Sequence, residues 1–184
     1  MNIKTTPIEG LLILEPKVHK DARGYFFESY NKQALESGAQ YTTAFVQDNQ
    51  ARSVKNVLRG LHYQNAPTPQ AKLIRVLEGS IWDVAVDIRK NSKTYKQWFG
   101  IELSAENKLQ LLIPHGFAHG YAVLSETSEV FYKCDNFYNK AAEGGMFYAD
   151  PELGIDWKIN SNEAIISDKD QKQPLFKDAW NTYE

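Results

Sequence analysis

The feature that most restricts this chain is a succession of short β-branched and aromatic runs, each cut off by Gly, Pro, Asn or Asp, recurring almost from end to end. The clearest is "IWDVAVDIR", in which Trp82, Val84, Val86 and Ile88 fall on one face and Asp83, Ala85 and Asp87 on the other. Side chains alternate across a strand, so this pattern predicts a strand with one buried face. "KLIRVLEGSIWDVAVDI" reads as two strands meeting at Glu78-Gly79-Ser80, and "GLLILEPKV", "GYFFESY", "TTAFVQDN", "GYAVLSE", "EVFYKCD" and "EAIIS" add further strands. Helical signals are few: two turns in "NKQALESG", between an Asn31 cap and a Gly38 stop, and one turn in "SAENK". Many strands with so little helix specify a mainly β sandwich or barrel. At 184 residues the chain is long enough for one domain with a sizeable core. No repeat or linker divides it, and "NAPTPQ" reads as a loop.

A net charge of −2, without any Lys/Arg stripe, lacks the footprint of a nucleic-acid binder. The start, "MNIKTTPIEG", has no apolar signal core, and no apolar run approaches the roughly 18 residues of a membrane span. A cytoplasmic protein with no membrane or nucleic-acid partner is therefore expected. The single cysteine, Cys134, has no partner for a disulfide or a Cys-based zinc site and reads as a small packing residue.

Only four histidines are present. His19 and His115 lie in polar, loop-like sequence and are expected to be exposed. His62 in "GLHYQ" and His119 in "GFAHGY" lie in apolar or aromatic surroundings, where an imidazole needs a partner or loses its charge. A neutral imidazole in a pocket is a candidate general base, because its pKa lies near working pH, and it needs an acceptor on its other nitrogen. Asp48, Asp83, Asp87, Asp135, Asp168 and Asp170 could each provide one.

"GLHYQ" followed by "KLIRVLEG", with "PHGFAHG" later, resembles the two motifs of the cupin superfamily. The resemblance implies a cupin-type jelly roll, a double-sheet β-barrel with a few short helices. In the second motif Pro114, Gly116 and His119 are in place. In the first, Gln64 stands where a second ligating histidine is usual, no acidic ligand is evident in "PTPQAKL", and Lys72 would repel a divalent cation. A metal-free site with no cofactor is expected, and no Gly-rich dinucleotide motif is present.

Over nearly the whole chain, "DARGYFFESYN", "FVQDNQARS", "VLRGLHYQ", "LSAENKLQLLIPHGFAHGYAVLSE", "YKCDNFY", "DPELGIDW" and "ISDKDQKQPLFKDA" occur in the order found in the dTDP-4-dehydrorhamnose 3,5-epimerases, a family this sequence resembles. The resemblance implies a homodimeric isomerase that inverts C-3 and C-5 of a dTDP-4-keto-6-deoxyhexose. Residues 1–184 would form one epimerase domain, with about the first 30 exchanged between protomers. By resemblance, His62 removes the protons, Asp170 of "SDKD" is its carboxylate partner, Tyr132 is the acid on the opposite face, and Lys72 sits by the C-4 oxygen. Arg23 and Arg59 fall to the diphosphate, Gln47, Asp48 and Asn49 to the nucleotide, and Phe26 and Glu28 to the thymidine pocket. Tyr138 is a stacking surface, and Glu143, Lys169 and His119 match further binding positions. Read from the residues alone, Arg23 and Glu28 are a surface ion pair and Tyr132 a half-buried strand aromatic.

Ala71, His115 and Asp168 depart from the family pattern, His115 by standing where an acidic residue is common. Arg59 and His62, three apart, would point to opposite faces of a flat strand, so either Gly60 marks a bulge or the arginine reaches in from the strand's end. The alternatives to a 3,5-epimerase are a C-3-only or C-5-only epimerase, a metal-dependent cupin enzyme, and a noncatalytic sugar-nucleotide-binding module.

Overall fold

The computed structural model describes residues 1–39 and 41–184. In chain order its main elements are β1 (Asn2–Thr5), β2 (Leu12–Glu15), β3 (His19–Asp21), β4 (Gly24–Phe26), α1 (Lys32–Ala39), β5 (Gln47–Val54), β6 (Val57–Gln64) and β7 (Lys72–Glu78). These are followed by β8 (Ser80–Asp87), β9 (Trp98–Ser104), β10 (Gln110–Ile113), β11 (Phe117–Val123), β12 (Thr127–Cys134), β13 (Glu143–Gly145), β14 (Ile165–Ile166) and α2 (Asp168–Gln171). One sheet runs β1-β2-β10-β7-β12-β5 and the other β13-β6-β11-β8-β9, with β14 parallel to β6 and a separate β3-β4 hairpin. This is the cupin-like double-sheet jelly roll expected from the motifs. Among the described residues no helix is long and apolar enough to cross a membrane.

Strand alternation sorts the apolar residues into three layers. Ile74, Val76, Ala85, Leu111 and Val130 fill the space between the sheets. Their neighbours Leu73 and Leu112 face the other way and pack with Leu12 and Leu14 under Leu35 of α1. That helix is only about two turns long and marginal alone, so burial of Leu35 holds it in place. The expected Asn31 cap is present, accepting the Ala34 N–H at 3.0 Å, although the helix runs one residue past Gly38.

Three sequence expectations change. β8 is buried on both faces: Val84, Val86 and Ile88 lie beneath Met146, Leu153, Trp157 and Phe176 of the C-terminal segment, while Asp83 and Asp87 on the opposite face are also fully buried. The apolar face of "IWDVAVDIR" is thus the outer one, covered by later chain, which the local pattern could not reveal. β7 and β8 meet at Gly79, as the sequence indicates, and belong to opposite sheets. Gly79 turns the chain between them at φ +72, where a Cβ would lie 2.0 Å from the Thr127 carbonyl oxygen. "SAENK" is a turn, because Asn107 Oδ1 takes the Ser104 N–H at 3.1 Å and Ser104 Oγ the Asn107 N–H at 3.0 Å, local bonds that compete with a helix. Finally, the strand sought in "TTAFVQDN" begins at Gln47 and continues through polar sequence to Val54. Its inward positions are Gln47, Asn49, Ala51 and Ser53, so the alternation is present but not in apolar residues.

Candidate active site

The site is built on β6 and β11, where His62 and His119 are direct cross-strand partners. Beyond them the register shifts: Tyr121 faces Arg59, so three steps along β6 are matched by two along β11. Gly60 takes up the extra residue at φ +120, and a Cβ there would lie 2.6 Å from the Gly120 Cα and 2.7 Å from the His119 carbonyl oxygen. The bulge reverses the parity, and Arg59 and His62 line the same cavity. Of the two alternatives the sequence left open, the glycine bulge is the one adopted.

His62 Nε2 lies 2.6 Å from Asp170 Oδ1. Asp170 is presented by α2, whose Ser167 cap accepts the Asp170 N–H at 3.1 Å, and its Oδ2 accepts the Gly60 N–H at 3.2 Å. Burial pushes the Asp170 pKa up, but the bonds and charge from His62, with the Gly60 amide and Ser167, outweigh it and hold the carboxyl below its usual range. The remaining ring nitrogen, Nδ1, is the atom left to act as a base. A second pair lies beside the first. His119 Nε2 is 2.7 Å from Asp83 Oδ1, and Asp83 Oδ2 is buried with no partner among the described residues.

Lys72 opens β7 and Tyr132 lies on the neighbouring β12, across from Asn49. Burial lowers the Lys72 pKa, against the nearby Cys134, Asp83 and Glu143, which raise it. Burial, with smaller effects from Cys134 and Tyr121, pushes the Tyr132 phenol up to about 12, so it carries its proton throughout the neutral range. Cys134 itself is buried and its sulfur lies 3.6 Å from Asn49 Nδ2.

Two adjoining cavities meet at these groups. One, of about 560 Å³, is lined by Arg59, His119, Tyr121, Lys169 and Asp170 together with His62, Lys72 and Tyr132. The other, of about 320 Å³, shares His62, Lys72 and Tyr132 and adds Gln47, Asn49, Tyr138 and Glu143. Their polar walls are cross-linked: Lys169 Nζ pairs with Glu143 Oε1 at 2.6 Å, Tyr138 Oη donates to Glu143 Oε2 at 3.3 Å, and Gln47 Oε1 accepts the Tyr138 N–H at 3.0 Å.

Asp48 does not belong to this group. It faces outward on β5 and pairs with Lys133 at 2.9 Å, because alternation sends Gln47 and Asn49 inward and the residue between them out. Arg23, Phe26 and Glu28 also lie outside both cavities. Arg23 pairs with Asp21 at 2.6 Å rather than with Glu28, and Phe26 is 72% exposed on the β3-β4 hairpin. Two lining or supporting residues, Tyr121 and Ser53, are absent from the sequence expectations, and a third, Asp83, is there only as one of six candidate carboxylates. Tyr121, two positions after His119, was discoverable by strand period. Ser53, whose Oγ accepts from Arg59 Nε and Nη2 at 3.2 and 3.1 Å, and Asp83, as the partner of His119, required the sheet order.

Gln64 donates to the Phe137 carbonyl at 3.1 Å and accepts the Asn139 N–H at 2.9 Å, so its amide serves the loop after β12. Among the described residues no three His, Cys, Asp or Glu side chains group as metal ligands would. The donor set therefore offers acid–base groups and a cation around a polar-walled chamber. Fold and site together define the class: a cupin-like jelly roll whose chamber is lined by histidine, lysine, tyrosine and carboxylate groups. Residues 5–178 match the family model for dTDP-4-dehydrorhamnose 3,5-epimerase. The chain is 50% identical, over 99% of each sequence, to the dTDP-4-dehydrorhamnose 3,5-epimerase of Salmonella typhimurium. Among solved structures, the epimerase of that name from Elizabethkingia anophelis is 53% identical with a TM-score of 0.94, covering 97% of both chains. A dTDP-6-deoxy-D-glucose-3,5-epimerase from Legionella pneumophila, in complex with dTDP-4-keto-L-rhamnose, is 47% identical with a TM-score of 0.92 over 96% of this chain and 93% of its own. This chain belongs to the dTDP-4-dehydrorhamnose 3,5-epimerase family.

Proposed function

We propose that the protein inverts C-3 and C-5 of dTDP-4-dehydro-6-deoxy-D-glucose, giving dTDP-4-dehydro-L-rhamnose for dTDP-L-rhamnose biosynthesis. The observation that carries this reading is the convergence of His62, Lys72 and Tyr132 at the junction of two cavities. One chamber has room for the sugar and the diphosphate, and the other for the nucleoside. His62 Nδ1 takes the proton from C-3, leaving an enolate whose charge collects on the C-4 oxygen. The Lys72 ammonium stabilises that oxygen, a contribution typically worth about 10²–10³ in rate. Tyr132 then delivers its proton to the opposite face of C-3 and the configuration inverts; once solvent has taken the proton from the His62 imidazolium and returned one to the Tyr132 phenolate, the same sequence at C-5 completes the reaction. Asp170 holds the His62 tautomer and stabilises the imidazolium.

Arg59 offers its remaining guanidinium hydrogens to the diphosphate, with His119 and Lys169 beside it. Tyr138 stacks on the thymine, with Gln47, Asn49 and Glu143 around the nucleoside. The active form is a homodimer in which the β3-β4 hairpin carries Arg23, Phe26 and Glu28 to the partner's nucleotide chamber. The exposure of Phe26 on a hairpin outside its own chain's cavities favours that arrangement.

Incubating the protein with the dTDP-4-keto sugar in deuterated water, with NMR readout, tests the reading. Deuterium is expected at both C-3 and C-5, and at neither with His62→Ala. Uptake at one carbon alone would reduce the activity to a single inversion, and binding of dTDP without uptake would leave only a binding module.

A further inference from the structure

Lys72 at the C-4 oxygen and Tyr132 at the protonated face must address one ring, so the spacing of the two strands that carry them must be fixed. We propose that Asp135 is the positioning residue that fixes it, with His115 as its counter-group; the inference rests on the epimerase reading of Lys72 and Tyr132. Asp135 follows the end of β12, three residues after Tyr132, and its side chain is 7% exposed. Its Oδ1 accepts the N–H of Ala71, the residue before Lys72, at 2.7 Å, and its own N–H donates to the Ala71 carbonyl at 3.3 Å. Its Oδ2 accepts from Thr43 Oγ1 at 2.9 Å and lies 2.8 Å from His115 Nε2.

One carboxylate thus ties four segments. Ala71 leads into β7 and Lys72, and Asp135 itself ends the strand of Tyr132. Thr43 precedes β5 with Gln47 and Asn49, and His115 precedes β11 with His119. Burial pushes the Asp135 pKa up, but the bonds from His115 and the Ala71 amide, the His115 charge and Thr43 outweigh it, so the group stays ionised to lower pH than usual. The departure at position 115 acquires a reason here. An acidic side chain in the same place would set two carboxylates against each other, whereas histidine supplies a donor and, when protonated, an opposite charge.

The test compares Asp135→Ala, Asp135→Asn and His115→Glu in the full chain, reading deuterium uptake at saturating substrate and dTDP affinity by calorimetry. Asp150→Asn is the control. Asp150 is a buried carboxylate that accepts the Phe176 and Glu152 amides at 2.6 and 2.8 Å in the C-terminal segment, away from both cavities. Asp135→Ala is expected to slow turnover at least tenfold while dTDP affinity stays within twofold. Asp135→Asn should recover part of that loss, since its amide oxygen still accepts the Ala71 N–H, and His115→Glu should slow turnover several-fold. Should Asp135→Ala not fold, the other two variants carry the test alone. Turnover within twofold of wild type in all folded variants, or equal losses in Asp135 variants and Asp150→Asn, would overturn the assignment. A wild-type protein without uptake would instead overturn the epimerase reading and the inference with it.

Discussion

Two histidine–carboxylate pairs sit side by side on β6 and β11, nearly equal in length at 2.6 and 2.7 Å, yet they are built differently. The His62 side chain is 32% exposed and that of His119 only 9%. Asp170 has donors at both oxygens and arrives from a capped turn far along the chain, whereas Asp83 comes from an adjacent strand and leaves one oxygen unpaired. A dyad distance alone therefore does not define a base. What separates the pairs is how far the imidazole opens into the chamber and how completely its carboxylate is held.

The largest break in that comparison should come from the imidazoles. His62→Ala is expected to lower turnover by about 10²–10⁴, and His119→Ala to act mainly by raising KM, with a smaller loss of kcat; steady-state kinetics on the two variants distinguishes them. Tyr132→Phe removes the acid but not the base. Exchange of the C-3 proton should therefore persist at a reduced rate while inverted product falls by about 10²-fold or more, measured by NMR beside product analysis.

The carboxylates come next. Asp170→Asn sets an amide N–H2 against either His62 or the Gly60 N–H and should cost about 1–3 kcal/mol in denaturant unfolding. Asp83→Asn can turn its amide nitrogen toward the unpaired side and should cost under about 1 kcal/mol. Equal losses would show that the orphaned oxygen has no bearing on stability. The smallest effect is in pH. Asp170 has a lower pKa folded than unfolded, so its contribution is complete above the unfolded value of about 3.9 and disappears as pH falls through the folded value. Asp170→Asn should remove that part of the acid limb, leaving unfolding free energy less steep below about pH 4 than in the wild type.

The same comparison marks how far the sequence was legible. The barrel class, the helix cap at Asn31 and the bulge at Gly60 are written in local spacing, because strand period and glycine chemistry act over a few residues. His62 and His119 stood out because each is a polar group in apolar sequence. The choice among six aspartates could not be made locally: Asp83 reaches His119 through sheet order, and Asp170 reaches His62 across 108 positions. Family resemblance selected Asp170 among them. Asp48 shares a motif with Gln47 and Asn49, but alternation across β5 turns this middle residue away from the other two. Asp87, also a candidate, instead holds Arg89, Ser92 and Thr94 in a tight turn.

That long reach has a temporal meaning. A nascent chain emerging from the ribosome can close most of both sheets by residue 134, the end of β12, but His62 still lacks its carboxylate, and Val84 and Val86 still lack their cover. On the proposed role of His62, its pairing with Asp170 thus waits for the segment that follows Ser167, and a chain interrupted before that point would hold both sheets without the carboxylate of its base.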